Sequence, residues 1–198
     1  MKIKKGNQFA WYIDVDNDDR DFECPYKKII FLDIDGVLNV EEDDEMGTIR
    51  MEKVNLLKSI VDQTGANIIM CSSWKFGYNK FVENGCKGID PAYERLYDSL
   101  NQVGLKIDGI TPESPVTGTT KKPLEIREWL RVFHDIFSFV ILDDDTMTQW
   151  GYLQRNVVTT LTCFPDEPSY KRYKTGLTEA HVKKAVEILN DAGALEIK

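Results

Sequence analysis

The segment KKIIFLDIDGVLN, residues 27–39, places Asp33 and Asp35 directly after a run of four apolar side chains and follows them with a glycine. A short apolar run of this kind, followed by turn-forming residues, predicts a strand that is buried on both faces. Such strands belong to parallel sheets, which bind ligands at the edge formed by the carboxyl ends of their strands. The two aspartates are therefore expected at a binding edge of the sheet.

Strand and helix patterns alternate along the rest of the chain. Further strands are predicted at 67–73, 105–110, 139–145 and 157–161, and helices at 52–65, 91–104, 123–133 and after Thr178. The alternation requires crossover connections, so we expect an α/β fold: a three-layer α/β/α, Rossmann-like arrangement with a mainly parallel central sheet. Residues 1–198 are expected to form a single domain, in which residues 1–26 add a strand or hairpin and residues 74–90 form a loop or small insertion.

Composition and charge limit the classes of function. A formal net charge of -8 over 198 residues argues against a broad surface that coats nucleic acid, although a local basic cleft remains compatible with it. The first residues lack the apolar centre of a signal peptide, and no apolar run approaches membrane-spanning length. A cytoplasmic protein without membrane contact is expected. Widely spaced cysteines without a C-x-x-C pair indicate free thiols: Cys24, Cys71, Cys86 and Cys163.

Polar side chains follow the predicted strands and begin one helix. They are Asp33 and Asp35, Ser72 and Ser73, the run 143–145, and Lys121 with Lys122 at the helix start. Two carboxylates about 4 Å apart repel by about 4 kcal/mol at an effective dielectric of about 20, so the acidic groups favour a hard divalent cation, Mg2+ above all. Ser72 and a lysine would supply donors for phosphate oxygens. The pattern therefore indicates phosphoryl transfer.

The same residues form four motifs in a recognisable order. D-I-D-G-V-L-N, a strand ending in Ser, a Lys at a helix start and a strand ending in D-D span Phe31 to Asp145 and resemble the motifs of the haloacid dehalogenase-like (HAD) superfamily. ILDDD and the later T-G-L-T are similar to the cap-less branch that includes domains of RNA-repair proteins. The resemblance implies a Mg2+-dependent phosphatase that hydrolyses phosphomonoesters through an aspartyl-phosphate. A phosphorylated substrate is implied, with nucleotides and nucleic-acid ends as candidates.

The resemblance assigns the catalytic and metal-binding residues. Asp33 would be the nucleophile, and Asp35 would protonate the leaving oxygen and then accept a proton from water. The metal ion would be held by a carboxylate oxygen of Asp33, the backbone carbonyl of Asp35 and the side chain of Asp143. Asp144 would lie near the ion or in its outer shell.

The resemblance also assigns the phosphate-binding residues. Ser72 would hydrogen-bond a phosphoryl oxygen, and Lys122 would offset charge on the nucleophile and the phosphate. Ser73 and Lys121 remain alternatives, because each is adjacent to the favoured residue. Gly36 would let the backbone turn closely past the phosphate.

The segment after Ser73 leaves the substrate open. Trp74, Lys75, Phe76 and Tyr78 would either stack on a base or pack beneath the loop. The chain leaves room for a minimal cap or none, and an open site of that kind would admit large phosphoesters.

Other interpretations remain beside the enzyme. A catalytically silent HAD-fold module for binding or regulation is the main alternative. A phosphorylation-receiving regulatory domain is disfavoured, because the hydroxyl and lysine here precede the second acidic cluster.

The D-x-D pattern within residues 11–22 resembles a calcium loop but lacks its glycine and glutamate. SYKRYK, residues 169–174, is interpreted as an exposed loop rim in preference to a nucleic-acid contact. His134 and His181 are placed in helices without a metal-binding partner. The oligomeric state stays open.

Overall fold

The computed structural model of the chain describes residues 3–6, 10–13, 22–23, 26–40, 47–88, 90–134, 136–162 and 173–191. The strands, in chain order, are β1 (Ile3–Gly6), β2 (Ala10–Ile13), β3 (Phe22–Glu23), β4 (Lys28–Leu32), β5 (Asn67–Met70), β6 (Gly109–Ile110), β7 (Phe133–His134), β8 (Ser138–Asp143), β9 (Val157–Thr159), β10 (Leu161–Thr162) and β11 (Tyr173–Lys174). The helices are α1 (Met51–Thr64), α2 (Lys75–Glu83), α3 (Pro91–Gln102), α4 (Lys121–Val132) and α5 (Glu179–Asn190), with a 3-10 helix at Gly151–Asn156.

A five-stranded parallel sheet forms the centre, with the strand order β6-β5-β4-β8-β9. β4 therefore lies in the middle, and its last residue, Leu32, pairs with Met70 of β5 and Leu142 of β8. This register aligns the carboxyl ends of the three central strands. The residues that follow these strands consequently meet at one edge of the sheet.

Alternation along β4 separates two apolar layers, because successive side chains of a strand point to opposite faces. Ile30 and Leu32 belong to the cluster formed with α1, α2, α3 and α5, whereas Ile29 and Phe31 belong to the cluster formed with α4 and the 3-10 helix. Phe31 is completely buried and meets the ring of Trp129 edge-on, with 5.4 Å between the ring centroids. Burying one such side chain stabilises the fold by about 1.5–3 kcal/mol. The three-layer α/β/α prediction is confirmed.

The predicted helix caps are found. Gly65 ends α1 in the left-handed conformation, and its N–H donates to the carbonyl of Val61. Asp90 caps α3 by accepting the N–H of Ala92 at 2.8 Å. Thr178 caps α5: its side chain accepts the N–H of His181, and Nδ1 of His181 accepts the N–H of Thr178 at 3.2 Å. His181 lies in a helix, as predicted, and its ring completes the cap.

The fourth helix differs at both ends from its prediction. It begins at Lys121, two residues before Pro123, because proline is tolerated throughout the first turn, where N–H groups have no helical partner. It ends at Val132, and Phe133 and His134 extend to pair with β3. His134 therefore belongs to a strand, and its placement in a helix was wrong.

The strand predicted at 105–110 is reduced to the two residues of β6. The side chain of Asp108 accepts the N–H of Ile68 at 3.0 Å, while its own N–H donates to the carbonyl of Ile68. A side-chain oxygen thus takes the place of a backbone acceptor, which interrupts the regular ladder before Gly109.

The segment after Ser73 forms the small helix α2, whose Lys75, Tyr78 and Phe81 are buried. At the N-terminus, β1 and β2 pair antiparallel. The calcium-like acidic run at 14–21, the start of SYKRYK, Cys24 and Cys163 lie outside the described residues. Every helix among the described residues is too short or too polar to span a lipid bilayer.

Candidate active site

Backbone hydrogen bonds continue the sheet beyond its strands and fix the residues that follow them. The N–H of Asp33 donates to the carbonyl of Leu142 at 3.0 Å, and the N–H of Cys71 donates to the carbonyl of Leu32 at 2.9 Å. The N–H of Thr160 donates to the carbonyl of Asp143 at 2.9 Å. Asp33, Ser72 and Asp143 are therefore held at neighbouring positions on the carboxyl-end edge.

An acidic cluster lies at this edge. One carboxylate oxygen each from Asp33, Asp143 and Asp144 lies within 4.8 Å of the others. The three residues are 7%, 0% and 7% exposed. Buried carboxylates this close repel strongly unless a cation lies among them.

Lys122 provides one positive charge for the cluster. Its Nζ donates to Asp33 Oδ2 at 3.0 Å and to Asp143 Oδ2 at 2.5 Å. Burial lowers the pKa of Lys122, but the carboxylates of Asp33 and Asp143 outweigh this effect and hold the pKa well above its usual range. The ammonium group therefore stays charged, and of the two adjacent lysines Lys122 is the one in the cluster.

The single ammonium group of Lys122 does not balance all the carboxylates of the cluster, and the pKa of Asp143 shows this imbalance. Burial, followed by repulsion from Asp33, raises the pKa of the Asp143 carboxyl to about 7, even though Lys122 and the N–H of Asp145 act in the opposite direction. One ammonium group is thus insufficient to keep the cluster fully ionised near neutral pH. A divalent cation would supply the missing charge.

The donor set fits a hard cation. Three buried carboxylates offer oxygen ligands, which Mg2+ and similar ions prefer, and no softer donor belongs to the group among the described residues. The side chain of Asp35 is absent from this group, so its predicted ligation through the backbone carbonyl stays a prediction. Asp144, expected near the ion, contributes a side-chain oxygen to the cluster.

Gly36 brings the backbone close to this cluster. Its φ is +69°, and a Cβ atom there would lie 2.5 Å from Cγ of Asp144. A larger residue would therefore displace the carboxylate of Asp144. The sequence predicted that Gly36 lets the chain pass a phosphate, and the structure adds a close approach to an acidic side chain.

The carboxylate of Asp35 is held by two donors on the solvent side. Trp74 Nε1 donates to Asp35 Oδ2 at 2.9 Å, and Asn39 Nδ2 donates to Asp35 Oδ1 at 3.0 Å. The side-chain oxygen of Asn39 in turn accepts the N–H of Gly36 at 2.6 Å. Sequence reasoning named neither Trp74 nor Asn39 as a partner of Asp35.

Ser72 is buried and Ser73 is exposed. The Oγ of Ser72 accepts the N–H of Trp74 at 3.4 Å, and the carbonyl of Ser72 accepts the N–H of Lys75 at 3.2 Å. Because Oγ is the acceptor in the first of these bonds, its hydroxyl hydrogen is the group that would be donated to a phosphoryl oxygen. The geometry favours Ser72 over Ser73.

Lys75 and Glu125 form a buried ion pair next to the site, which the sequence analysis did not predict. Lys75 Nζ donates to Glu125 Oε2 at 2.6 Å, to Thr111 Oγ1 at 3.0 Å and to the carbonyl of Pro112 at 3.1 Å. Both side chains of the pair are 3% exposed. The pair joins α2, the loop after β6 and α4, and Glu125 lies one helical turn after Lys122. The one sequence feature that could have indicated this ion pair is the lysine among the aromatic residues of 74–78.

The parallel sheet and the acidic cluster with its lysine define a HAD-like α/β protein with a candidate metal centre. A family model described as the HAD domain in Swiss Army Knife RNA repair proteins matches residues 29–182. The chain belongs to this HAD family, as its resemblance to domains of RNA-repair proteins predicted. Neither curated proteins nor solved structures give a significant match. Family membership points to a hydrolase of the HAD type.

Proposed function

We propose that this protein is a Mg2+-dependent phosphomonoester hydrolase with Asp33 as its nucleophile. The observation that carries the proposal is that Lys122 contacts both Asp33 and Asp143. Three carboxylates and one ammonium group thus lie together where the central strands end. Asp33, Asp143 and Asp144 would hold the ion, which would neutralise charge on the phosphate and on the carboxylates.

The first step transfers the phosphoryl group to the protein. A carboxylate oxygen of Asp33 forms a bond to phosphorus while the bond from phosphorus to the ester oxygen breaks. Asp35 donates a proton to that departing oxygen, which leaves as an alcohol. Lys122 stabilises the charge on Asp33 and on the phosphoryl group, and Ser72 donates a hydrogen bond to a phosphoryl oxygen.

The second step regenerates the protein. Asp35, now a carboxylate, accepts a proton from a water molecule that attacks phosphorus, and the bond between phosphorus and the Asp33 oxygen breaks. Inorganic phosphate is released and Asp33 is again a carboxylate. Substrates of this reaction include nucleotides and phosphorylated nucleic-acid ends, in keeping with the RNA-repair context of the family.

A phosphatase assay tests the proposal. Sugar phosphates, nucleotides and phosphorylated RNA and DNA ends are incubated with Mg2+ or with EDTA, beside the variant Asp33→Asn. We expect turnover with Mg2+, none with EDTA, and none by the variant. Equal turnover by Asp33→Asn would refute the nucleophile, and a lack of turnover on every substrate would favour a silent binding or regulatory module.

A further inference from the structure

A cavity of about 440 Å³ lies between α2 and the loop after β6. One face of α2, with Phe76, Asn79, Lys80 and Glu83 at helical spacing, forms one wall, and residues 110–113 form the other. Its volume falls within the range of about 300–1,000 Å³ that is typical of small-molecule sites. The cavity is separate from the acidic cluster, and neither the family model nor the proposed chemistry assigns it a ligand.

The cavity opens on the same edge of the sheet as the catalytic aspartates. Asp33 follows β4, Ser72 follows β5 and Thr111 follows β6, and these three strands are neighbours. Adjacent strands lie about 4.8 Å apart, so two spacings place Thr111, which lines the cavity, about 10 Å from Asp33. That distance matches the reach of the nucleoside attached to a phosphate at Asp33.

Phe76 offers a ring to a ligand in this cavity. Of the aromatic residues in 74–78, Trp74 packs against Tyr93 and Tyr78 is buried, whereas Phe76 is 40% exposed. The Nζ atoms of Lys75 and Lys121 lie 5.4 and 5.5 Å from its ring centroid. Lys75 is buried in its ion pair with Glu125, so the exposed ring and the partly exposed Lys121 are the groups available to a base that carries a phosphate.

Asn79 provides a hydrogen-bond acceptor in the wall of this cavity. Its Oδ1 is buried and has no hydrogen-bond partner within the described part of the chain. A buried acceptor without a partner is unfavourable, so a ligand gains affinity when the Asn79 side chain turns toward the cavity and this oxygen accepts a hydrogen bond from the ligand. The exocyclic amino group of adenine or cytosine is such a donor.

We propose that this cavity is a nucleobase subsite, in which the base next to the scissile phosphate stacks on Phe76 and donates its amino group to Asn79. The inference rests on the proposed phosphatase function for the position of the phosphate. It extends that function by naming the recognised group, which is an amino-bearing base on either a free nucleotide or the end of a strand.

Paired substrates test the subsite. The wild-type protein and Phe76→Ala are assayed with Mg2+ on AMP and on ribose 5-phosphate, which lacks the base. Stacking on an aromatic side chain is worth about 1–3 kcal/mol per base, so we expect Phe76→Ala to lower the ratio of kcat/KM for AMP over ribose 5-phosphate about tenfold. Phe137→Ala is the matched control, because Phe137 is also exposed but precedes β8 at the opposite edge. An unchanged ratio in Phe76→Ala overturns the subsite.

The amino group is tested separately by replacing AMP with IMP, which carries a carbonyl at the same position. We expect the wild-type protein to favour AMP about tenfold, and Asn79→Ala to lose this preference. Equal use of AMP and IMP by the wild-type protein overturns the role of Asn79. An oligoadenylate with a terminal phosphate, compared with AMP, shows whether the base comes from a strand or a free nucleotide.

Binding distinguishes failure of the subsite from failure of the enzyme. Calorimetry with Mg2+ measures AMP and ribose 5-phosphate on the wild-type protein and Phe76→Ala. Tighter AMP binding that depends on Phe76, without any turnover, would support the subsite and contradict the proposed hydrolase. Hydrolysis of ribose 5-phosphate, without tighter binding or faster turnover of AMP, would do the reverse.

Discussion

Trp74 donates its indole N–H to Oδ2 of Asp35 at 2.9 Å, although the two residues lie 39 positions apart in the chain. Trp74 also begins the turn that leads from Ser72 into α2, and its N–H donates to the Oγ of Ser72. The same residue thus positions the proposed acid and adjoins the proposed phosphate-binding serine. Trp74 and Asn39 together bind both oxygens of the Asp35 carboxylate and so fix its orientation.

Trp74→Phe should therefore impair proton donation more than phosphoryl transfer itself. A poor leaving group needs its oxygen protonated, whereas p-nitrophenolate does not. We expect turnover of an alkyl phosphate to fall about tenfold more than turnover of p-nitrophenyl phosphate, on the basis that positioned general acids contribute about 10²–10⁴-fold. Steady-state assays with both substrates measure this ratio. Asp33→Asn is the reference, because it should abolish both reactions alike, and equal losses in Trp74→Phe would show a merely structural role.

The two adjacent lysines should differ sharply when each is replaced by methionine. Lys122→Met leaves Asp33 and Asp143 buried without their shared cation, a change that costs about 3 kcal/mol, and it should abolish phosphatase activity. Lys121→Met removes an ammonium group 4.0 Å from Glu125 and should change the free energy of unfolding by about 1 kcal/mol or less. Urea titrations in EDTA at pH 8 measure both variants. A larger loss in Lys121→Met would contradict the assignment.

Stabilisation by Mg2+ should increase with pH. The pKa of Asp143 is raised from 3.8 to about 7 in the fold, so between these values the folded state binds more protons than the unfolded state, and stability falls as pH rises. A cation that binds the ionised carboxylates reverses this loss. We expect the shift of Tm on adding Mg2+ to be larger at pH 8 than at pH 5.5, as measured by thermal scans.

Asp143→Asn is the control for this pH dependence. The variant lacks the carboxyl group that titrates, so its Tm should depend less on pH between about 4 and 7. It should also respond less to Mg2+ at pH 8. A wild-type shift on adding Mg2+ that is the same at both pH values would contradict the assignment of the ion to these carboxylates.

The buried pair of Lys75 and Glu125 should show strong coupling. Lys75→Met leaves the carboxylate of Glu125 buried, with the N–H of Ser114 and the more distant Lys121 as its remaining partners among the described residues, which we expect to cost about 3–5 kcal/mol. Replacing both residues, Lys75→Met with Glu125→Leu, should recover much of that loss. A double-mutant cycle by urea denaturation measures the coupling. Additive single losses would show that the two side chains act independently.

The fold was predictable from local sequence because its strands are buried on both faces. The apolar run before Asp33 and the helical spacing that follows require no long-range information, and both were read correctly. The length of β6 was overestimated, because the side chain of Asp108 replaces a backbone acceptor for the N–H of Ile68, which lies 40 positions away in the chain. The end of α4 was misplaced for a similar reason, because Phe133 leaves the helix to pair with β3.

The choice within each adjacent pair of site residues needed the structure. Beyond the end of β5, Ser72 is buried and Ser73 is exposed. Lys121 and Lys122 are successive residues in the first turn of α4, so their side chains point to different sides of the helix. The partners of Asp35 could not be inferred, since Trp74 approaches it only after β4 and β5 pair. Sequence alone thus located the edge of the sheet and its acidic side chains, whereas the hydrogen bonds among its residues depend on the pairing of distant strands.

Trapping the covalent intermediate tests the central claim most directly. Asp35→Asn, which lacks the base for the second step, is mixed with p-nitrophenyl phosphate and Mg2+, quenched, and reduced with borohydride, which converts an aspartyl-phosphate into homoserine. Because p-nitrophenolate leaves without a proton, the loss of the acid does not prevent the first step. Mass spectrometry of the peptide that contains residue 33 should show this conversion at Asp33 and at no other aspartate. Turnover by the wild-type protein without any trapped product at Asp33 in the variant, or with the product at Asp143 or Asp144, would contradict the account.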